Sequence, residues 1–346
     1  MKTEAAILVE LGKPLVIAEL NIPPLRPGQV LVEIQYSGAC HTQVLEARGH
    51  KGADPWLPHC LGHEGSGTVL EVGPGVTRVK LGEKVILSWL KGAGMESGGA
   101  VYEWDGKKVN SGGVVTFGRQ MLASENRLTP LPEGLDMKAA IMMGCALPTG
   151  MGAVLNVCHA RPGEAIAIFG AGGIGLSAIL GASVSGCVPI IAVDINKDKL
   201  DLAKRLGATH SVNAAEIDPV KAINEIVAGG VDHAVEASGV PVVMVQAMQA
   251  VRKQGGRAVV CGNAHAGSTV TIDPRLFNDG KSIMGTWGGD SVPERDYPRY
   301  ARLLMAGKLD VASLLTKTYS LASINDALDD LEAGRVGRPL IDMSLR

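Results

Sequence analysis

The sequence predicts an α/β protein with an all-β, barrel-like part, then a doubly wound parallel sheet, then a mixed C-terminal part. Three observations support this. The chain has 346 residues, more than one ordinary core of about 100–200 residues holds. Residues 1–150 break into short apolar or alternating runs separated by turns. From about Pro162 short apolar strands alternate with helical patterns, which is the rhythm of a parallel sheet with crossover helices.

The β part reads in order as AAILVE, LVIAEL, VLVEIQYS, GSGTVLEVG and EKVILSWL, with PPLRPGQ, GPGV and LGEK as the breaks. Residues 91–113 are rich in Gly and polar side chains and are expected to form an exposed lobe. In the second part EAIAIFG, PIIAVD, VDHAVEASG, RAVVCGN and KSIMGTWGG are strands. Between them, GGIGLSAILGASVSG, INKDKLDLAKRLG, VKAINEIVAGG and PVVMVQAMQAVRKQGG are helices. After Gly289 the pattern is mixed again. SINDALDDLEAGRVG is a helix with Ser at its start and Gly near its end, and RPLIDMSL is a terminal strand. The expected division is 1–147 with 289–346, and 148–288.

Composition excludes several classes. Net charge is −2 with no Lys/Arg run, which argues against nucleic acid as a partner. No stretch approaches the roughly 20 apolar residues of a membrane span, and the N-terminal apolar run is interrupted by Glu10. A cytoplasmic protein is therefore expected. Six scattered cysteines suit metal ligation or plain burial better than a disulfide scaffold.

The first strand of the alternating part ends in Gly170, Ala171, Gly172, Gly173, Ile174 and Gly175, a G-x-G-x-x-G pattern between a strand and a helix. Asp194 ends the next strand, 19 residues after Gly175, near the spacing of about 20 expected of a ribose-binding acid. Gly170 permits the turn, Gly172 the approach of a pyrophosphate, and Gly175 the packing of helix on strand. The helix N-terminus offers its N–H groups and dipole to the phosphates. This is the dinucleotide fingerprint of a Rossmann domain. A carboxylate at 194 would repel a 2′-phosphate, so NAD is expected over NADP; Asp194 could also cap the helix that follows it.

The stretch GACHTQVLEARGHKGADPWLPHCLGHEG, residues 38–65, holds Cys40, His41, His50, His59, Cys60 and His63. Such a density suggests a metal, and a catalytic zinc takes three protein ligands. Spacing alone does not choose among these candidates.

GACHT, LGHEGSGTVLEVGPGV, MMGCALPTG, FGAGGIGLSAI, AVDINKDKL and AGRVGRPL, in that order along the chain, together resemble the zinc-dependent alcohol dehydrogenases of the medium-chain dehydrogenase/reductase family. The resemblance runs from about residue 5 to the C-terminus. It implies a chaperonin-10-like catalytic domain and zinc- and NAD-dependent hydride transfer between an alcohol and an aldehyde or ketone. It also implies one catalytic zinc on Cys40, His63 and Cys145. Thr42 is implied as the proton relay toward the nicotinamide ribose, and Glu64 as a carboxylate near the metal. His41 and Arg338 would contact the phosphates, Thr149 the nicotinamide amide, and Lys199 the adenosine ribose; for Lys199 and Arg338 a solvated surface charge is the plain alternative. Cys60, Cys158, Cys187 and Cys261 are read as packed thiols. A homo-oligomer, dimer or tetramer, is implied through the outer strand near KSIMGTWGG, and the substrate is a small molecule.

Three departures from the family pattern stand out. Gln43 occupies the position of an acid that orients the ligand imidazole. Leu45 replaces a His at the outer end of the proton relay, and His50 is a possible substitute. No cysteine lies between Cys60 and Cys145, so the lobe for a structural zinc is missing. The alternatives are a glutathione-dependent formaldehyde dehydrogenase, a polyol or sugar dehydrogenase, a zinc-free reductase, and a catalytically inactive NAD-binding protein. Cys145 speaks against the polyol branch, which has Glu there.

Overall fold

The computed structural model describes all of residues 1–346, and the chain divides into two compact units. The first comprises Met1–Cys145, Val292–Gly307 and Leu314–Arg346; the second comprises Ala146–Ser291 and Lys308–Ser313.

The first unit begins with strands β1 (Lys2–Leu8), β2 (Val16–Asn21) and β3 (Gln29–Gly38), then helix α1 (His41–Ala47). Strands β4 (His59–Cys60), β5 (Glu64–Val72), β6 (Lys84–Ser88), β7 (Val101–Trp104), β8 (Lys107–Asn110), β9 (Gln120–Ser124) and β10 (Leu128–Pro130) follow, then helix α2 (Met137–Ala140). Two sheets result. Strands β1, β2, β7, β8 and β4 close into a small barrel. The other sheet runs β10, β6, β5, β3, with β9 also paired to β3. β3 is the hub, paired with β5 and β9, and its Val30, Leu31, Val32 and Ile34 are buried in the hydrophobic core.

The stretch 91–113 is largely exposed, as its composition predicts, but it also contains regular structure. Its second half is the β7–β8 hairpin, which helps close the barrel. VYEW alternates, so Tyr102 turns inward, 1% exposed, and its hydroxyl accepts the Leu122 N–H. The loops beside it are tied by Glu125. Its carboxylate accepts the N–H groups of Thr77 (2.6 Å), Arg78 (2.7 Å) and Met95 (2.6 Å).

The second unit carries α3 (Ala146–Gly152), β11 (Ile166–Phe169), α4 (Gly173–Ser185), β12 (Ile190–Asp194), α5 (Lys197–Arg205), β13 (His210–Asn213) and α6 (Pro219–Ile226). It continues with β14 (His233–Glu236), α7 (Pro241–Ala250), β15 (Arg257–Val260), α8 (Arg275–Asn278) and β16 (Ser282–Gly285). The sheet order is β13, β12, β11, β14, β15, β16, with every pair parallel. That is the doubly wound order, whose crevice lies at the carboxyl ends of β11 and β14. Phe169, Val193, Ala234, Ala247 and Ala258 meet in its core. The edge strand β13 is absent from the sequence reading because HSVN is too short and polar to show an apolar run.

The chain then returns to the first unit through α9 (Pro293–Met305), β17 (Lys317–Tyr319), α10 (Ile324–Glu332) and β18 (Pro339–Asp342). β18 lies antiparallel to β3 and parallel to β17, which extends the hub sheet to its C-terminal edge. No single helix of the chain is long and apolar enough to cross a membrane.

The Glu125 carboxylate is pushed up by burial, but the N–H groups of Met95, Thr77 and Arg78 outweigh this and hold its pKa below the ordinary value. Its stabilisation is therefore complete above the unfolded glutamate pKa of about 4.3 and fades as the pH falls through the lower folded value. Glu125→Ala is expected to lose about 2–4 kcal/mol at pH 7, and less in acid, by urea unfolding across pH. A loss independent of pH would contradict the role of the charge.

Candidate active site

Three elements of the first unit converge. Cys40 caps α1 with extended backbone (φ −104°, ψ 152°) just after β3 ends. His63 directly precedes β5, and Cys145 follows a single 3₁₀ turn over Ile141–Gly144. Gly144 is required before Cys145. A Cβ there would stand 2.5 Å from the Leu87 carbonyl oxygen and 2.7 Å from the Glu64 Cβ. The same turn is tied from outside: Ser88 Oγ donates to the Gly144 carbonyl (2.9 Å) and accepts from the Tyr297 hydroxyl (2.7 Å).

The donor atoms of Cys40, His63 and Cys145 all lie within 4.8 Å of one another. The two Sγ atoms are 3.9 Å apart, and His63 Nε2 is 3.3 Å from Cys145 Sγ. Bond lengths of about 2.3 Å to sulfur and about 2.0 Å to nitrogen at tetrahedral angles place such donors about 3.8 and about 3.5 Å apart. Two soft thiols and one imidazole at these separations fit zinc.

The electrostatics suit a cation. The Cys40 thiol is held well below the ordinary cysteine pKa, chiefly by the hydrogen bond from Cys145 and then, against burial, by Arg338. Cys145 moves the other way because the Cys40 thiolate lies beside it and burial adds to the effect. The two shifts belong to one pair sharing a proton. Burial lowers the His63 pKa, but Cys40 outweighs it and raises the net value. Arg338 is 3% exposed and its Nη1 lies 3.2 Å from Glu64 Oε1 and 3.1 Å from the Ala39 carbonyl. Burial lowers its pKa, yet Glu64 and the two cysteines raise it further, so it is a fixed cation. A solvated surface charge is therefore the wrong description of Arg338. Sequence reasoning missed its place beneath the thiols.

The remaining candidates of this unit divide clearly. Glu64 is fully buried at the site. Thr42 is half-buried and His41 exposed in the first turn of α1. Gln43 Nε2 lies 2.5 Å from His63 Nδ1, so the residue standing where an acid was expected does reach the imidazole. Leu45 is buried. Cys60 packs in the barrel core, its thiol pushed up to about 12 by burial, and His59 pairs with Asp54 at 2.8 Å. Burial likewise raises Cys158 to about 12 and Cys187 to about 11. His50 is half-buried and not among the three clustered donors. A cavity of about 560 Å³ reaches Gln43 and His63 and is also lined by Glu46, Asp54, Trp56 and His59. Trp89 packs on the core instead, and Trp287 is exposed.

In the second unit the glycine loop has the form its spacing predicts. Gly170 takes φ +91° at the strand end, where a Cβ would meet Ser238 N at 2.9 Å. A Cβ on Gly175 would stand 1.7 Å from the Gly170 carbonyl oxygen, so α4 packs directly on the turn. Gly172 caps α4, followed by Gly173 and Ile174, and a Cβ on Gly172 would meet nothing within 4 Å. Asp194 accepts from Ala171 N (2.6 Å) and Asn196 N (2.9 Å). It does not cap α5; Asn196 does, accepting from Asp198 N and Lys199 N. Lys199 is half-buried, and Thr149 is buried in α3.

Residues 26–133 match the alcohol dehydrogenase GroES-like domain, and residues 173–306 match the zinc-binding dehydrogenase domain. Over 99% of its length the chain is 34% identical to the whole of an S-(hydroxymethyl)glutathione dehydrogenase from Synechocystis sp.. Benzyl alcohol dehydrogenase from Acinetobacter calcoaceticus superposes with a TM-score of 0.90 at 31% identity, covering 99% of both chains. An alcohol dehydrogenase zinc-binding domain protein from Burkholderia ambifaria gives 0.91 at 32% identity, with the same coverage. The chain belongs to the zinc-dependent alcohol dehydrogenases of the medium-chain dehydrogenase/reductase family. It is an oxidoreductase of an NAD-dependent family, with a GroES-like domain and a Rossmann-like parallel sheet.

The glycine loop supplies a test. Gly172 has φ −82° and open space at its Cβ position, so Gly172→Ala should keep stability within about 0.5 kcal/mol. It should nonetheless weaken NAD about tenfold, equivalent to about 1.4 kcal/mol, in a fluorescence titration. Unchanged NAD affinity would separate this loop from the cofactor.

Proposed function

We propose that the chain oxidises a small, uncharged alcohol, or reduces the corresponding carbonyl compound, with NAD and one zinc ion per chain. The observation that carries this reading is the convergence of Cys40, His63 and Cys145 within 4.8 Å beside a buried Glu64 and Arg338. Those three residues would hold the ion. Bound there, zinc would supply Lewis acidity toward an alcohol oxygen, and NAD the hydride acceptor. Thr42, half-buried two residues after Cys40, would accept the alcohol proton on its hydroxyl and pass it outward. Buried Leu45 offers no next station for that proton. Arg338 holds the charge balance of the thiols and Glu64. His41, Thr149, the 170–175 loop, Asp194, Lys199 and Arg338 are the cofactor contacts of this reading. Asp194 favours NAD, because its carboxylate would repel a 2′-phosphate.

A second reading is supported by the curated relative from Synechocystis sp.: oxidation of a glutathione adduct of formaldehyde. The cavity reaching His63 favours the neutral alcohol instead. No lysine or arginine lines it, so it offers no cation to an anionic peptide adduct. A cytoplasmic homo-oligomer is part of the proposal, assembled through the edge strand β16.

Metal analysis of the active protein should find about one zinc per chain, since only one Cys/His cluster of this kind is present. Chelation should abolish turnover and added zinc restore it, and Cys145→Ser should lose the ion. Activity surviving complete metal removal would refute the reading. Comparison of kcat/KM should favour NAD over NADP and benzyl alcohol over S-(hydroxymethyl)glutathione; the reverse orders would overturn the assignments of Asp194 and of the cavity respectively.

A further inference from the structure

We infer that Gln43 is a positioning residue that holds the metal-free form of the site and makes zinc occupancy weaker than a carboxylate would. The inference rests on Cys40, His63 and Cys145 being the zinc ligands. Gln43 is 1% exposed and is the third residue of α1. Its side chain is fixed at both ends. Oε1 accepts the backbone N–H of Cys40 at 2.8 Å, which is half of a capping box. A backbone N–H can only donate, so the oxygen must face it. The amide nitrogen is thereby turned to His63 Nδ1, 2.5 Å away. An amide N–H also only donates, so Nδ1 must accept and the imidazole proton sits on Nε2.

Zinc requires the opposite arrangement. Nε2 is the ring nitrogen beside Cys145 Sγ, at 3.3 Å, and a ligating nitrogen carries no proton. The proton of a neutral metal-bound imidazole is then on Nδ1, which becomes a donor facing the donating amide of Gln43. As now oriented, the amide oxygen serves only the Cys40 N–H, and the Nδ1–H would face the amide's donor end. Either the amide turns over and abandons the helix cap, or its oxygen is shared between the two donors. A carboxylate of the same length escapes the conflict, because each of its oxygens accepts from one donor.

Metal affinity of the full-length protein, measured by competition with a chromophoric chelator, tests this. Gln43→Glu should bind zinc about 10–100-fold more tightly than wild type, the usual size of such a partner's effect. The cobalt-substituted forms of both should share the thiolate charge-transfer absorption, because the ligands are the same. Gln43→Met removes donor and acceptor together. It should cost less than the about tenfold loss seen when a supporting partner is deleted. Equal or weaker zinc binding by Gln43→Glu, or a loss of about tenfold or more in Gln43→Met, would overturn the inference. Zinc affinity unchanged by Cys145→Ser would instead bring down the underlying site assignment, and this inference with it. If zinc is lost in Cys145→Ser but Gln43→Glu matches wild type, only the inference about Gln43 fails.

Discussion

Arg338 stands with its guanidinium buried among the Glu64 carboxylate, the Ala39 carbonyl and the thiols of Cys40 and Cys145. Two cysteines that must become thiolates and a glutamate share a nearly dry space, and such a collection of negative charge is not stable without a fixed cation. Lysine would not substitute well, because the planar guanidinium presents several donors to several neighbours at once and keeps its charge when buried. The position of Arg338 depends in turn on β18, which starts at Pro339 and pairs with β3. β3 itself leads into Cys40. The C-terminal strand therefore links β17 to the hub strand and completes the charge balance of the site in one act.

The same economy explains the tightness of the surrounding backbone. Gly144 has no room for a side chain, since Leu87 and Glu64 occupy the space. Tyr297 and Ser88 clamp its carbonyl from the other side. Cys145 is thus set by packing and hydrogen bonding before any ion arrives. Cys40 is set by the start of α1, and His63 by the start of β5.

Much of this was legible in the sequence where the signal is local. The alternation of strands and helices after Pro162, and the glycine loop with Asp194, follow from periodicity and spacing. The three zinc-binding candidates were not separable by spacing, because Cys145 lies among apolar residues and joins the others only through folding. The resemblance to known dehydrogenases supplied that link. The burial of Arg338 was not legible, since AGRVGRPL suggested a phosphate contact or a surface charge, and its place shows only once β17 and β18 are laid against β3. The β7–β8 hairpin was hidden by the glycines on either side of it, although the alternation in VYEW was a usable signal. The capping pair of Cys40 and Gln43 also had a signal: Cys-x-x-Gln at a helix start mirrors the capping box with a thiol in place of a hydroxyl. What that pairing does to His63 needed the distances.

The central claim is that two thiolates and one imidazole of this chain form a single catalytic metal centre. X-ray absorption at the zinc edge, on the purified protein, addresses it directly. The account predicts a first shell of two sulfur atoms at about 2.3 Å, with one imidazole nitrogen and one further light atom at about 2.0 Å. A shell of four sulfurs, or one with no sulfur at all, would contradict it.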